Sequence, residues 1–285
     1  MSQLLQYLAD GLLIGVVYGI AAMGLTLIFG VMSVINLAHG PIIALGMFGV
    51  YLLFTGVGVN PLLGLLIVAP AALIFGIVVY LVAVHRVITA PHLSSLLSTY
   101  AVNMIIIGIG TVVFSTSFRN VDFSLGALSL GPINVTGNRL AAALIALLVT
   151  ALLYGFLYRT RQGKSIRAVA NNRAAAELMG IASTRVLALA FGIGTMLAAV
   201  AGGLIAMSLP FTILSGGSYE LKSFVIVVLG GLGNPLGALL GGVILGLIEG
   251  LVPVFMDTSW TPVLEFVLFI VILLVLPQGL LGARQ

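Results

Sequence analysis

Long apolar runs constrain this chain more than any other feature. Residues 11–29, 41–54, 62–84, 93–114, 140–158, 186–209, 224–232, 236–251 and 263–276 contain almost no charge between them. A helix needs roughly 20 apolar residues to cross a bilayer, and several of these runs have that length. Only 6% of the residues are charged, against roughly 25% in soluble domains. No surface facing water on all sides can be built from so few charges. Within hydrocarbon each backbone polar group must be satisfied inside the protein, which favours helices. The expectation is an all-α polytopic membrane protein with about 8–10 transmembrane helices, some of them short or broken, forming one domain over residues 1–285.

Two interruptions shape that expectation. The stretch 224–251 is too long for one crossing, and Asn234-Pro235 in its middle breaks helices. It reads as two shorter helices joined by a tight turn. The segment GVMSVINLAHGP, residues 30–41, places Asn36, His39, Gly40 and Pro41 where two apolar runs meet. It is either a plain cytoplasmic turn or a re-entrant break, and the latter is tolerated at membrane depth only against protein or a cavity.

Charge then sets orientation. Arg159, Arg161, Lys164, Arg167, Arg173 and Arg185 are six of the eleven basic residues, and one acid, Glu177, lies among them. Cytoplasmic loops are rich in Lys and Arg, so this window is cytoplasmic, as are His85-Arg86 and Arg284. Residues 118–138 and the MDTSW stretch then fall outside. About nine crossings result, with the N-terminus outside and the C-terminus inside; a re-entrant break at 30–41 would change the number by one and move the N-terminus to the other side. The first span follows no basic region and reads as retained rather than as a cleaved signal. The net charge of +4 is this loop bias and implies lipid as the surrounding partner, with no nucleic acid.

Glycine recurs every fourth residue at Gly11, Gly15 and Gly19, at Gly233, Gly237 and Gly241, and at Gly242, Gly246 and Gly250. Such stripes let helices approach closely in lipid, so Gly233, Gly237, Gly241 and Gly246 are candidates for helix packing, within the chain or against a partner. Polar residues inside spans are costly and mark candidate paths. These are Asn36, His39, Ser98, Thr99, Asn103 and Glu249. For Ser98 and Thr99 the plain alternative is bonding to their own helix. For Glu249 it is a wet position near the outer interface.

Enzymatic readings find little support. The chain has no Cys, and no ligand cluster with metal spacing, so no cofactor is expected. The GKS at 163–165 lacks the Gly five residues upstream that a phosphate loop requires, and GLGNPLG lacks the strand and acid of a dinucleotide fingerprint. No nucleophile with a base at reachable spacing lies in the spans. A free-standing secondary transporter or channel is the alternative to an ATP-driven permease.

In the basic window, Ile166, Val169, Ala170, Leu178 and Ile181 are spaced as one or two short amphipathic helices, ended by Gly180, the residue type usual just past a helix. A cytoplasmic helix tied at both ends to spans has the form of a docking element, placed at residues 160–182. The stretch AVANNRAAAELMGIASTRVLALAFGIGTMLAAVAGGL resembles the coupling segment of permease subunits of branched-chain amino acid ABC importers. INLAHG, VVLGGLGNPLGALLGGVILGLIE and VLPQGLLG match the same family in order. The resemblance implies an importer-type ABC permease fold in a bacterial inner membrane. It also implies a homologous second permease, two cytoplasmic ATPase subunits, an external solute-binding protein, and ATP hydrolysis in separate subunits. Val169, Arg173, Glu177, Leu178, Gly180 and Ile181 would then form the ATPase coupling surface. The family often has Glu directly after AHG, where this chain has Pro41.

Overall fold

A computed structural model describes residues 2–130, 133–276 and 278–281; Arg284 lies outside the described residues. The elements are α1 (Ser2–Met32), α2 (His39–Val57), α3 (Pro61–Val79) continued by a π-turn at Tyr80–Val84, and α4 (His92–Phe114). After them come a hairpin of β1 (Ala127–Leu130) and β2 (Ile133–Thr136), then α5 (Gly137–Arg159). Next are α6 (Arg161–Asn171), α7 (Arg173–Leu178), α8 (Ser183–Ala206), α9 (Ser215–Gly230), α10 (Pro235–Phe255) and α11 (Thr261–Val275). Among the described residues, 8 helices are long and apolar enough to cross a membrane. The 16-residue α9 is not among those 8.

Two helices form the centre. α8 is 89% buried and α1 78% buried over their most apolar stretches. Small residues explain how neighbours come so near. A Cβ on Gly15 would stand 2.7 Å from the Gly242 carbonyl oxygen and 3.2 Å from the Gly246 Cα. Gly11 is in the same relation to Gly246 and Gly250. The two sequence stripes therefore pack on each other, α1 antiparallel to α10, and both are consumed inside this chain. Gly237 and Gly241 face the other way, onto Gly230 and Ile226 of α9. Gly233 belongs to no helical stripe: its φ of +83° makes it part of the turn before Asn234. The Asn234 side chain accepts from the N–H groups of Leu236 and Gly237, capping α10 as an N-cap Asn should. The break read at Asn234-Pro235 is present.

The external connection departs from an all-helical chain. Ala127–Leu130 pairs antiparallel with Ile133–Thr136, Leu128 opposite Val135. The short alternating ALSL and INVT runs suit a two-stranded ribbon. This hairpin is tied down by α1, since Gln6 donates to the Asn134 carbonyl at 2.8 Å and accepts from its N–H at 2.7 Å. Asp10 pairs with Arg139 at 2.6 Å beside it.

Candidate functional site

The segment between α1 and α2 is a true break. Residues 33–36 are non-helical, with Ser33 at φ +52°, and α2 begins at His39. The His39 imidazole contacts the Ala21 carbonyl at 2.9 Å, so α2 starts level with the middle third of α1. The plain-turn alternative is thereby replaced by a chain that re-enters the bundle before it becomes helical. Such backbone needs partners, and α4 supplies them. Asn103 donates to the Leu37 carbonyl at 2.6 Å. The Thr99 hydroxyl lies 3.1 Å from the Ile35 carbonyl and accepts from the Leu37 N–H at 3.2 Å. Thr99 and Asn103 are four apart, hence on one face of α4, and together they strap the break in place.

Four of the six candidate path residues therefore meet: Asn36, His39, Thr99 and Asn103, all buried. Each of three keeps one side-chain atom without a hydrogen-bond partner: Asn36 Nδ2, His39 Nδ1 and Asn103 Oδ1. Ser98 does not join them. It points away, donating to the Ala83 carbonyl at 2.6 Å, and so anchors α4 to the π-turn instead. One residue along a helix turns the side chain by about 100°, which separates Ser98 from Thr99.

Glu249 is far from the break and belongs to a second polar cluster. Its Oε2 lies 2.6 Å from Lys222 Nζ, and Glu265 Oε1 lies 3.4 Å from the same nitrogen. At 3.4 Å the Glu265 contact is an ion pair rather than a hydrogen bond, consistent with Oε1 having no bonded donor. The Lys222 ammonium also sits 4.8 Å from the Tyr18 ring centre. Helices α1, α9, α10 and α11 meet here. Glu249 is neither lone nor simply wet: its side chain is 29% exposed and charge-paired. Sequence reading missed Glu220 and Lys222 because a span begun at Phe224 left Tyr219–Lys222 in a connecting loop, and it passed over Glu265 although that acid lies inside the run 263–276. The usable signal was the absence of Gly-Pro or Asn punctuation between Ser218 and Phe224.

The basic window forms two helices. Thr160 caps α6 by accepting from the Gly163 N–H, and Asn172 caps α7 by accepting from the Ala175 N–H. Arg167 donates to the Leu157 carbonyl at 3.1 Å and lies 4.3 Å over the Tyr158 ring. That folds α6 back onto the end of α5. Val169 is 2% exposed and Ile166 1%. Val169 is thus part of the chain's own core and cannot line a surface for another subunit, which corrects the sequence expectation. The apolar side chains left outward are Leu178 at 89% and Met179 at 83% exposure. Ile181 is half-buried against the core. Glu177 accepts from Arg173 at 2.9 Å and from the Ser183 hydroxyl. These two bonds, Ser183 first, hold its carboxyl below the usual value. Gly180 has φ +81°, and the Ile181 N–H reaches the Ala176 carbonyl at 3.1 Å, the six-to-one bond of a glycine-ended helix.

A helical bundle with a break between α1 and α2, ion pairs between its helices and two short helices slung between two spans has the form of a multi-pass membrane protein. Residues 7–276 match the family model described as branched-chain amino acid transport system / permease component, and the chain belongs to that family. It is 30% identical over 302 residues to the high-affinity branched-chain amino acid transport system permease protein LivH of Salmonella typhimurium, covering 99% of this chain and 96% of that one. The corresponding permease BraD of Pseudomonas aeruginosa is 31% identical over 300 residues, at 99% and 96% coverage. Among solved structures, PsaBC from Streptococcus pneumoniae in complex with Fab is similar at TM-score 0.48 and 15% identity, covering 95% of this chain and 92% of that one. The protein is a transport component of an ABC system, not an enzyme.

Proposed function

We propose that this chain is one permease of an ATP-driven importer for branched-chain amino acids or related small solutes. It sits in a bacterial inner membrane beside a homologous second permease. Two cytoplasmic ATPase subunits and an external solute-binding protein complete the assembly. The solute class is supported by the similarity to branched-chain amino acid permeases of about equal length. The observation that carries the coupling role is the α6–α7 elbow. It is held by the Arg167 and Thr160 contacts to α5, yet leaves Leu178 and Met179 exposed, with none of the described residues covering them. An exposed apolar pair beside a basic surface suits an ATPase groove. Arg173 and Glu177 form its rim, and Gly180 and Ile181 lead directly into α8. Closure of the ATPases would then push on α5 and α8 together.

The test is co-purification of ATPases, solute-stimulated hydrolysis and uptake for Leu178→Asp with Met179→Asp. Loss of all three with normal membrane insertion is expected. Wild-type values in all three would reduce the window to a topology signal.

A further inference from the structure

α2 starts inside the bundle without a cap of its own. Its N-cap position is Ala38, which has no side-chain acceptor. A helix leaves its first N–H groups unsatisfied, and each must be accounted for when buried. The His39 N–H makes a long contact of 3.3 Å with the Asn36 carbonyl, and the Ile42 N–H bonds to the Ala38 carbonyl at 3.1 Å. The Asn36 side-chain oxygen is already taken by the Ala38 N–H at 3.1 Å. Pro41 has no N–H. That leaves the Gly40 N–H, and the side-chain acceptor packed against Gly40 is the carboxyl of Glu220 in α9. Glu220 is 8% exposed.

The approach is as close as backbone allows. A Cβ on Gly40 would meet Glu220 Oε2 and Glu220 Cβ at 2.7 Å each, and the Gly216 carbonyl oxygen at 2.5 Å. The starts of α2 and α9 thus lie side by side, and both carry the partial positive charge of a helix N-terminus. Unscreened, these two ends repel. The Glu220 carboxyl at their junction offers the orphan donor an acceptor oxygen. Lys222, two residues on, faces the opposite side of α9 toward Glu249, so it does not neutralise Glu220.

We propose that Glu220 is a positioning residue of the transport cycle: a cap supplied by one interrupted helix to the other, which latches α2 and α9 so that they move as one body. Pro41, the third residue of α2, offers no carboxyl to the first turn, so the side-chain acceptor beside Gly40 comes from α9. This latch rests on the importer reading only for its transport consequence.

The experiment compares wild type, Glu220→Ala, Glu220→Gln, Pro41→Glu and the double variant Pro41→Glu with Glu220→Ala. Thermal unfolding of the detergent-purified chain is measured first, then uptake by the full importer. Glu220→Ala is expected to lower the unfolding temperature and reduce uptake about tenfold, the factor matching roughly 1.4 kcal/mol. Glu220→Gln should lose less, since its amide oxygen still accepts. Adding Pro41→Glu to Glu220→Ala should recover most of both readouts, because the new carboxylate enters the vacated space. Pro41→Glu alone should be harmful, with two carboxylates crowding one donor. A Glu220→Ala chain that unfolds and transports like wild type would overturn the latch, as would a double variant no better than the single one. Recovery of unfolding temperature in a protein whose uptake ignores ATPases would instead refute the importer reading and leave the latch standing.

Discussion

Replacing Lys222 by Met removes the one cation from a cluster that ties four helices. Its Nζ is 2.6 Å from Glu249 and 3.4 Å from Glu265, with side-chain exposures of 14%, 29% and 9% for Lys222, Glu249 and Glu265. At an effective dielectric of 20 the two attractions are about 6 and 5 kcal/mol before desolvation is subtracted. Most of that gross energy is spent on taking the three charges out of water, so the net worth of the cluster is small. The asymmetry lies in breaking it. Removing one partner of a buried pair costs about 3–5 kcal/mol, because the remaining charge stays uncompensated. Glu249 keeps some access to solvent, which places the expectation near the lower bound, about 3 kcal/mol. On the scale of soluble chains of somewhat smaller size that is a fall of roughly 6–12 °C in unfolding temperature. The assay is thermal unfolding of the purified protein for Lys222→Met and for Lys222→Met combined with Glu249→Gln and Glu265→Gln. The triple variant, with no charge left, should recover at least half of the loss. If Lys222→Met unfolds like wild type, or the neutral triple is no more stable than the single variant, then charge pairing does not hold these helices together.

Other outcomes follow from the same geometry. Gly246→Leu should abolish assembly and protein level before altering solute preference, since an added side chain would enter the Gly11 and Gly15 backbone; blue-native electrophoresis with an uptake profile distinguishes the two. Asn103→Ala leaves the buried Leu37 carbonyl without its 2.6 Å donor and should cost about 1–3 kcal/mol, measured by chemical unfolding. Gly180→Val should uncouple ATP hydrolysis from uptake without loss of insertion: a Cβ there meets nothing within 4 Å, so the penalty is the φ of +81° alone, about 1–3 kcal/mol. The Glu177 carboxyl is held below its ordinary value of 4.5, so its bonds contribute above that value and are lost only as pH falls through the lower folded value. ATPase retention should therefore be flat between about pH 8 and 6, and Ser183→Ala should move the onset of acid-induced loss upward; an onset unchanged by Ser183→Ala would remove Glu177 from the account.

Much of the architecture was legible because the bilayer restricts it. Run length gave the spans, and Asn234-Pro235 marked the turn between α9 and α10 for a local chemical reason. The four-residue glycine spacing announced close packing, yet gave no partners; Gly242 and Gly246 meet α1 while Gly237 and Gly241 meet α9, a division set by opposite faces of a single helix. The site was read less well. Asn36, His39, Thr99 and Asn103 were picked one by one as polar residues in apolar surroundings, and the fold brings them together. Ser98 was picked on the same ground and points elsewhere. Val169 sat on the predicted apolar face of the docking helix, but that face is turned inward onto the chain's own spans.

The sequence by itself determined that this chain is a multi-pass membrane protein and where its helices must stop. Those properties depend on composition and on local backbone chemistry, which act over a few residues. Only the tertiary structure decided which buried polar groups are partners. Lys222 meets Glu249 across 27 positions and Asn103 meets Leu37 across 66. Glu220 reaches Gly40 from a helix that follows it by most of the chain. Burial makes each such pairing obligatory, because an unpaired group in hydrocarbon costs several kcal/mol, but nothing local names the partner. That choice is made by the helix crossings, and the crossings are set by where glycine lets two backbones touch.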